Sequence, residues 1–322
     1  MMQVEISVIV PLHNEESNLV PLFDRLNQTL LGTGSSFEII FINDSSSDNS
    51  EFILKKIYEE NADNVIIINL FMRVGKTGAQ ERGFEIARGE YIVTIDSDLE
   101  NSPEDIPKLL TKMDEGFDVV SGLRISRVDS KGKLITSRMF NLIMRWITGL
   151  AFNDYFSGLK CFRADVIHFL AIYGDLYRFT ASLAYRAGFK VVEIPVEHHH
   201  REGGESKYSF LSRVRRAIDD LLVVFFAITF NRKRIYRLGI TSILLSGIGV
   251  VLLFASIVPS VFGDGELNYG LIRISSIIIF ISIQIYLLKN LSDNFLRWHK
   301  EEYLHRKQNI KKILGLDCAS PD

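Results

Sequence analysis

The segment "VTIDSDLENSPEDIP" places Asp96 and Asp98 two residues apart at the end of a short apolar run. Residues i and i+2 of an extended chain face the same way, so carboxylates at that spacing converge on one divalent cation. Mg²⁺ or Mn²⁺ held by few carboxylates completes its shell with water and substrate phosphate, which points to phosphate-bearing substrates. A second acidic pair, Asp44 and Asp48, flanks the serines of "FINDSSSDNS". A turn leading into a helix cap accounts for that pair without any ligand, because Asp and Ser bond readily to nearby backbone N–H groups. A third cluster, "HHHREGGESKYSF", offers Arg201 and Lys207 as cations, with Gly203 and Gly204 permitting close backbone approach to an anion. Its histidines, His198 to His200, alternate faces on an extended chain, so a shared zinc ion is not expected.

Two familiar phosphate motifs are missing. The bend "VIVPLHNEES" has no glycine where a dinucleotide fold needs G-x-G-x-x-G, and "GKT" at Gly75 to Thr77 lacks the preceding glycine-rich loop of a nucleoside-triphosphate site.

The elements that must position these groups alternate in type. Ile6 to Pro11, Phe37 to Ile42, Val65 to Leu70 and Tyr91 to Ile95 are brief, rich in Val and Ile, and end at polar or turn residues, as buried strands do. Between them, Ser17 to Leu30, Asn49 to Glu60, Thr77 to Arg88 and Pro103 to Met113 carry apolar residues at helical spacing. Ser17, Asp48 or Asn49, and Ser102 before Pro103 are the expected helix starts. Strand alternating with helix predicts an α/β fold, a mostly parallel Rossmann-like sheet covered on both faces. Ligands of such sheets bind at the carboxyl ends of the strands, where Asp44, Asp96 and Asp98 fall.

Beyond residue 208 the pattern changes. "FLSRVRRAIDDLLVVFFAITFNRKR" mixes arginine with apolar residues at helical spacing and then becomes almost wholly apolar, as a helix at a membrane surface does; an amphipathic helix packed on the first domain is the other reading. Tyr236 to Val258 is long enough, at about 1.5 Å per residue, to span a hydrocarbon core of about 30 Å, and Leu271 to Leu288 is a second, weaker span. Basic flanks precede the first span and follow the second, whereas the connector "PSVFGDGELNYG" carries acids only, which places both termini in the cytoplasm. The expected organisation is a catalytic domain at 1–208, an interfacial helix region at 209–234, two transmembrane helices at 235–290 and a cytoplasmic tail at 291–322. The N-terminus lacks the pattern of a signal peptide, so the first domain is expected to stay in the cytoplasm. A formal net charge of -2 over 322 residues supplies no basic field for nucleic acid, and the two distant cysteines make no metal or disulfide framework.

"VIVPLHNEES", "FINDSSSDNS", "GKTGAQERGFEIARGEYIVTIDSDLENSPEDIP", "FNDYFSGLKCFRADV" and "HHHREGGESKYSF" stand in the order found in membrane-bound polyprenyl-phosphate glycosyltransferases, which residues 4 to 212 resemble. That family includes bactoprenol glucosyl, dolichol-phosphate mannose and undecaprenyl-phosphate formamido-arabinose transferases. The resemblance implies an A-type glycosyltransferase fold and inverting transfer of one sugar from a nucleotide-sugar, with UDP-glucose the first choice, to a lipid phosphate such as undecaprenyl phosphate. It implies that Pro11 and Glu15 lie near the nucleoside, that Asp44 contacts the uracil, and that Asp96 and Asp98 hold the nucleotide and its metal. Lys76 either reaches a phosphate or is solvated. Asp154 in "FNDYFSGLKCFR" matches an acceptor-side residue proposed as a base; because a phosphate monoester is already largely a dianion at neutral pH, Asp154 orienting the acceptor or sugar is the other reading. Arg201 and Lys207 would clamp the phosphates. Asn43 stands where the family usually has Asp, and Ser46 where it usually has Gly.

The two spans suit bacterial members, which implies the inner membrane, with a homo-oligomer and a downstream flippase or second transferase as further partners. Two other readings stay open. A processive polysaccharide synthase shares the fold, although its Q-x-x-R-W segment is absent here. A nonenzymatic membrane adaptor with a nucleotide-sugar fold would bind donor without turnover.

Overall fold

The structure is a computed structural model that describes residues 4–125, 131–170, 179–199, 232–262, 268–307 and 310–315. The chain divides into two units, residues 1–224 with 302–322, and residues 225–301.

In the first unit the alternating pattern is realised as β1 (Ile6–Leu12), α1 (Leu19–Leu31), β2 (Phe37–Asn43), α2 (Ser50–Glu60), β3 (Val65–Leu70), α3 (Gly75–Ile86) and β4 (Tyr91–Thr94). A short 3₁₀ turn at Pro103–Asp105 leads into α4 (Ile106–Asp114), then β5 (Val119–Arg124), α5 (Lys131–Thr148), β6 (Lys160–Arg163), α6 (Ala164–Leu170), α7 (Thr180–Ala187) and β7 (Val191–Val196). Strands β1, β2 and β3 are buried at every residue, as strands covered on both faces must be.

Two helix starts differ from expectation for local reasons. Helix α1 begins after Asn18 rather than Ser17, because the Asn18 amide donates to Glu15 Oε2 at 2.6 Å and the Asn18 N–H to the Glu15 carbonyl, closing a turn across 15–18. Helix α3 begins at Gly75, before Thr77, because the Asp44 carboxylate accepts from the N–H groups of Val74 at 2.7 Å and Gly75 at 2.8 Å.

One sheet carries eight strands in the order β7-β5-β6-β4-β1-β2-β3-β8, where β8 is Ile310–Leu314. Strands β6 and β8 run antiparallel to their neighbours and the other pairings are parallel. The last strand is a feature the sequence pattern leaves inside the tail at 291–322: Ile67 pairs with Leu314 and Ile68 with Ile313. Helix α3 is seated tightly on this sheet at Gly83, where a Cβ would stand 2.6 Å from Ile9 Cγ2. That contact fixes the helix whose first turn carries Lys76.

The second unit contains α8 (Arg232–Phe262) and much of α9 (Tyr269–Lys307). Tyr236–Val258 and Tyr269–Asn294 are long and apolar enough to cross a membrane, the second extending beyond the expected Leu271 to Leu288. Only 17% and 11% of these stretches are buried, unlike the core helix of a water-soluble protein. The interfacial helix expected at 209–234 lies almost wholly outside the described residues.

Candidate active site

The loops at the carboxyl ends of β1 to β4 converge on one cavity of about 200 Å³. Pro11 and Glu15 line it from β1, Asp44 from β2, Lys76 from α3, and Asp96 and Asp98 from the loop after β4. All six of these residues, named from the sequence, are thus gathered in one place. Asn14, Ser45 and Leu99, at φ values of 56, 56 and 60°, are the non-glycine residues with positive φ among those described, and each lies in one of these loops. Left-handed backbone in an L-residue is costly and persists where the surroundings hold it, so the strain of this fold is gathered around the cavity.

Each loop is pinned by long-range hydrogen bonds. Asp44 spends both carboxylate oxygens on the first turn of α3, which fastens the β3–α3 loop to the end of β2. His13 Nδ1 donates to the Asp44 carbonyl at 2.8 Å, which places its proton on that nitrogen. The two departures from the family pattern have structural employment. Asn43, 2% exposed, donates through Nδ2 to Asn69 Oδ1 at 2.9 Å and accepts the Ser46 N–H at 3.0 Å, while Ser46 Oγ accepts the Asn14 N–H at 3.0 Å.

The acidic pair stands in a charged setting. Lys76 Nζ lies 2.5 Å from Asp96 Oδ1, so this lysine is ion-paired. Burial, then repulsion from Asp96 and Glu100, pushes the Asp98 carboxyl up to about 6. Two crowded carboxylates beside a cavity fit a divalent cation, which would relieve their repulsion. Among the described residues no third Asp, Glu, His or Cys joins them, leaving most coordination positions to water and phosphate oxygens.

The loop before β6 approaches the acidic pair from another side. Asp154, 2% exposed, takes the Arg124 guanidinium on both oxygens, Nε to Oδ2 at 2.6 Å and Nη2 to Oδ1 at 2.9 Å. Burial works against the Arg124 charge, yet Asp154, with Asp96 and Glu100 behind it, holds its pKa above the ordinary value. Gly158 passes directly over Asp96, where a Cβ would stand 2.5 Å from Asp96 Cγ. Gly158→Ala is therefore expected to displace the Asp96 carboxylate and cut kcat by about a hundredfold, since misplacement of about 1 Å costs that much. A steady-state assay checks this, and a variant as fast as the wild type would show that Asp96 tolerates the shift.

A second cavity of about 200 Å³ lies between α3 and the β4–β6 pair, bounded by Thr77 and Gln80, by Thr94 and by Lys160. Phe84 and Phe162 meet edge to face at 6.0 Å along its apolar wall. Lys76 lines both cavities. Lys160 donates to the Tyr155 carbonyl at 3.3 Å, and burial, then the Lys76 ammonium, pushes its pKa down to about 8, against the pull of Asp154 and Asp96. A lysine with a depressed folded pKa costs stability while charged in both states, and the cost is relieved as pH rises past the folded value toward the unfolded one. Lys160→Met is thus expected to exceed the wild type in stability at pH 7.5, with the gap narrowing by about 2 kcal/mol by pH 10 in urea titrations. A gap independent of pH would show that Lys160 carries no such burden.

The histidines serve the same loops. His199 N–H donates to the Glu100 carbonyl at 2.8 Å and its Nε2 lies 2.7 Å from Ser102 Oγ, while His198 Nδ1 donates to the Glu100 carbonyl at 3.1 Å. These two side chains tie the segment after β7 to the loop that carries Asp98. Arg201 and Lys207 lie outside the described residues.

Arg73, Arg124 and Lys160 are cations that the sequence pattern does not single out. The available signal is a lone basic residue ending "VVSGLR" and another opening "KCFR", both in strands otherwise fit for burial. Helix α5 is likewise not singled out by the sequence pattern: its Met139, Leu142 and Trp146, three to four residues apart, are 60%, 68% and 82% exposed.

Comparison with known proteins accords with this geometry. Among solved structures the fold is similar to glucosyl-3-phosphoglycerate synthase from Mycobacterium tuberculosis in complex with Mn²⁺ and UDP-glucose, at 18% identity and a TM-score of 0.54, covering 69% of this chain and 79% of that one. The complex of that synthase with Mn²⁺, UDP-glucose and phosphoglyceric acid matches at 18% identity and a TM-score of 0.55, covering 69% and 80%. Residues 7–183 match the glycosyl transferase family 2 profile, more than half of the chain. With that match and a cavity at the carboxyl ends of the strands, the chain belongs to glycosyl transferase family 2 and is a nucleotide-sugar glycosyltransferase of A-type fold.

Proposed function

We propose that this glycosyltransferase passes one sugar, with inversion, from UDP-glucose to a polyprenyl phosphate such as undecaprenyl phosphate at the cytoplasmic face of a bacterial inner membrane. The observation that carries this is the union in one chain of a family 2 domain and two helices apolar enough to span a membrane. An acceptor dissolved in water would need no such helices, whereas a lipid phosphate is reached from the membrane surface. The exposed Met139, Leu142 and Trp146 of α5 add an apolar stripe of the kind that enters a headgroup layer. The chain leaves the catalytic unit before the two helices and rejoins it at β8, so two crossings return it to the side it left.

The donor diphosphate binds where Lys76, Asp96 and Asp98 line the first cavity. The UDP-glucose and Mn²⁺ of the Mycobacterium tuberculosis synthase support this donor and a divalent cation, Mg²⁺ or Mn²⁺, held by Asp96 and Asp98. Such a cation, when bound, offsets the charge on the departing nucleoside diphosphate. An acceptor phosphate is already a nucleophile at neutral pH, so Asp154 serves best by holding Arg124, whose charge offsets that of the incoming anion. Arg201 and Lys207 are proposed to extend this positive field.

Purified protein with undecaprenyl phosphate, Mg²⁺ or Mn²⁺ and a panel of nucleotide-sugars is expected to form a phospholipid bearing one sugar, identified by mass spectrometry. Products with longer chains would establish the processive reading. Donor binding without turnover across lipid acceptors would establish the adaptor reading.

A further inference from the structure

We infer that Lys76 is an internal counter-ion for Asp96 that a nucleoside diphosphate must draw away before a divalent cation binds well, so that cation and nucleotide binding are coupled. The inference rests on Asp96 and Asp98 as the cation's protein ligands. Lys76 Nζ stands 2.5 Å from Asp96 Oδ1, on the carboxylate a shared cation has to approach. An ammonium there is doubly unfavourable to the cation: it engages a ligand oxygen and repels a like charge.

The lysine is built to move while its backbone stays fixed. Asp44 grips the N–H groups of Val74 and Gly75, immediately before Lys76, and Gly83 seats the helix against Ile9. The side chain is 46% exposed and lines both cavities, so rotation about its own torsions can turn the ammonium from Asp96 toward a diphosphate in the cavity that both residues line. A diphosphate there provides the competing anion. Once Lys76 turns to it, Asp96 is released to the cation, and the two ligands favour each other's binding as linkage requires.

The test is Mn²⁺ binding to the full-length protein, followed by the electron paramagnetic resonance of free Mn²⁺ with and without UDP or GDP, whichever the wild type retains. Without nucleotide, Lys76→Met is expected to bind Mn²⁺ about tenfold more tightly than the wild type, and with nucleotide the difference is expected to vanish. Lys76→Arg, which keeps the charge, is expected to restore weak binding without nucleotide. Equal Mn²⁺ affinity of wild type and Lys76→Met without nucleotide would overturn the counter-ion role and leave the carboxylates as ligands. Absence of Mn²⁺ binding by either protein with nucleotide present would overturn both.

Discussion

Asp98→Asn is expected to lower kcat by about a thousandfold while leaving the folded protein at least as stable as the wild type. The side chain faces the donor cavity, and its neutral amide neither holds a divalent cation nor matches the charge separated as the diphosphate departs. Stability moves the other way. Burial and the charges of Asp96 and Glu100 push the Asp98 carboxyl up to about 6, so at neutral pH the fold carries an ionised group it disfavours. A raised carboxyl pKa means stability is lost as pH rises through that value, and an amide escapes this loss. The shape is kept, and so is an acceptor for the Glu100 N–H, now 3.2 Å from Asp98 Oδ1. Turnover at saturating donor, paired with a thermal melt, checks both halves. Turnover within tenfold of the wild type would remove Asp98 from the cation site.

Asp154→Ala is expected to have the largest effect on stability, a loss of about 3–5 kcal/mol, because it leaves a buried guanidinium without its counter-charge. The Asp154 and Arg124 side chains are 3% and 15% exposed, so water does little to replace the lost partner. Replacing both, as Arg124→Met with Asp154→Leu, is expected to recover most of that loss, since two buried charges are exchanged for apolar groups of similar reach. Activity separates the two readings of Asp154. A positioning role predicts that Asp154→Asn and Arg124→Met lose similar factors in kcat and that the double variant loses no more. A base role predicts a far greater loss for Asp154→Asn. Urea titrations that place both single variants within 1 kcal/mol of the wild type would show the pair to be solvated.

The strands β1 to β4 and helices α1 to α4 are legible in the sequence, because hydrophobic period records which face of a short segment is buried. The long apolar helices at 236–258 and 269–294 are legible from composition for the same local reason, the second as the shorter stretch 271–288. The meeting of six residues is legible too: in an α/β sheet the loops after the strands share one edge, so Asp44, Asp96 and Asp98, with Pro11, Glu15 and Lys76 named through the resemblance, line one cavity. What each of them touches is not. Asp44, fit for a base contact or a turn, grips the first turn of α3, and Lys76, fit for a phosphate or for water, pairs with Asp96. Arg124 meets Asp154, and Gly158 roofs Asp96, because β6 inserts antiparallel between β4 and β5 and carries the preceding loop over the acidic pair. Strand β8 is hidden for a similar reason: five residues of a tail become a strand only when the β3 edge lies open to pair with them. The sequence by itself determined the strands and helices of residues 6–113 and which of their loops can hold chemistry, since both depend on neighbours a few residues away. Only the tertiary structure decided which charge faces which, because those pairs join residues 20 and 30 positions apart and follow from the order of strands in the sheet.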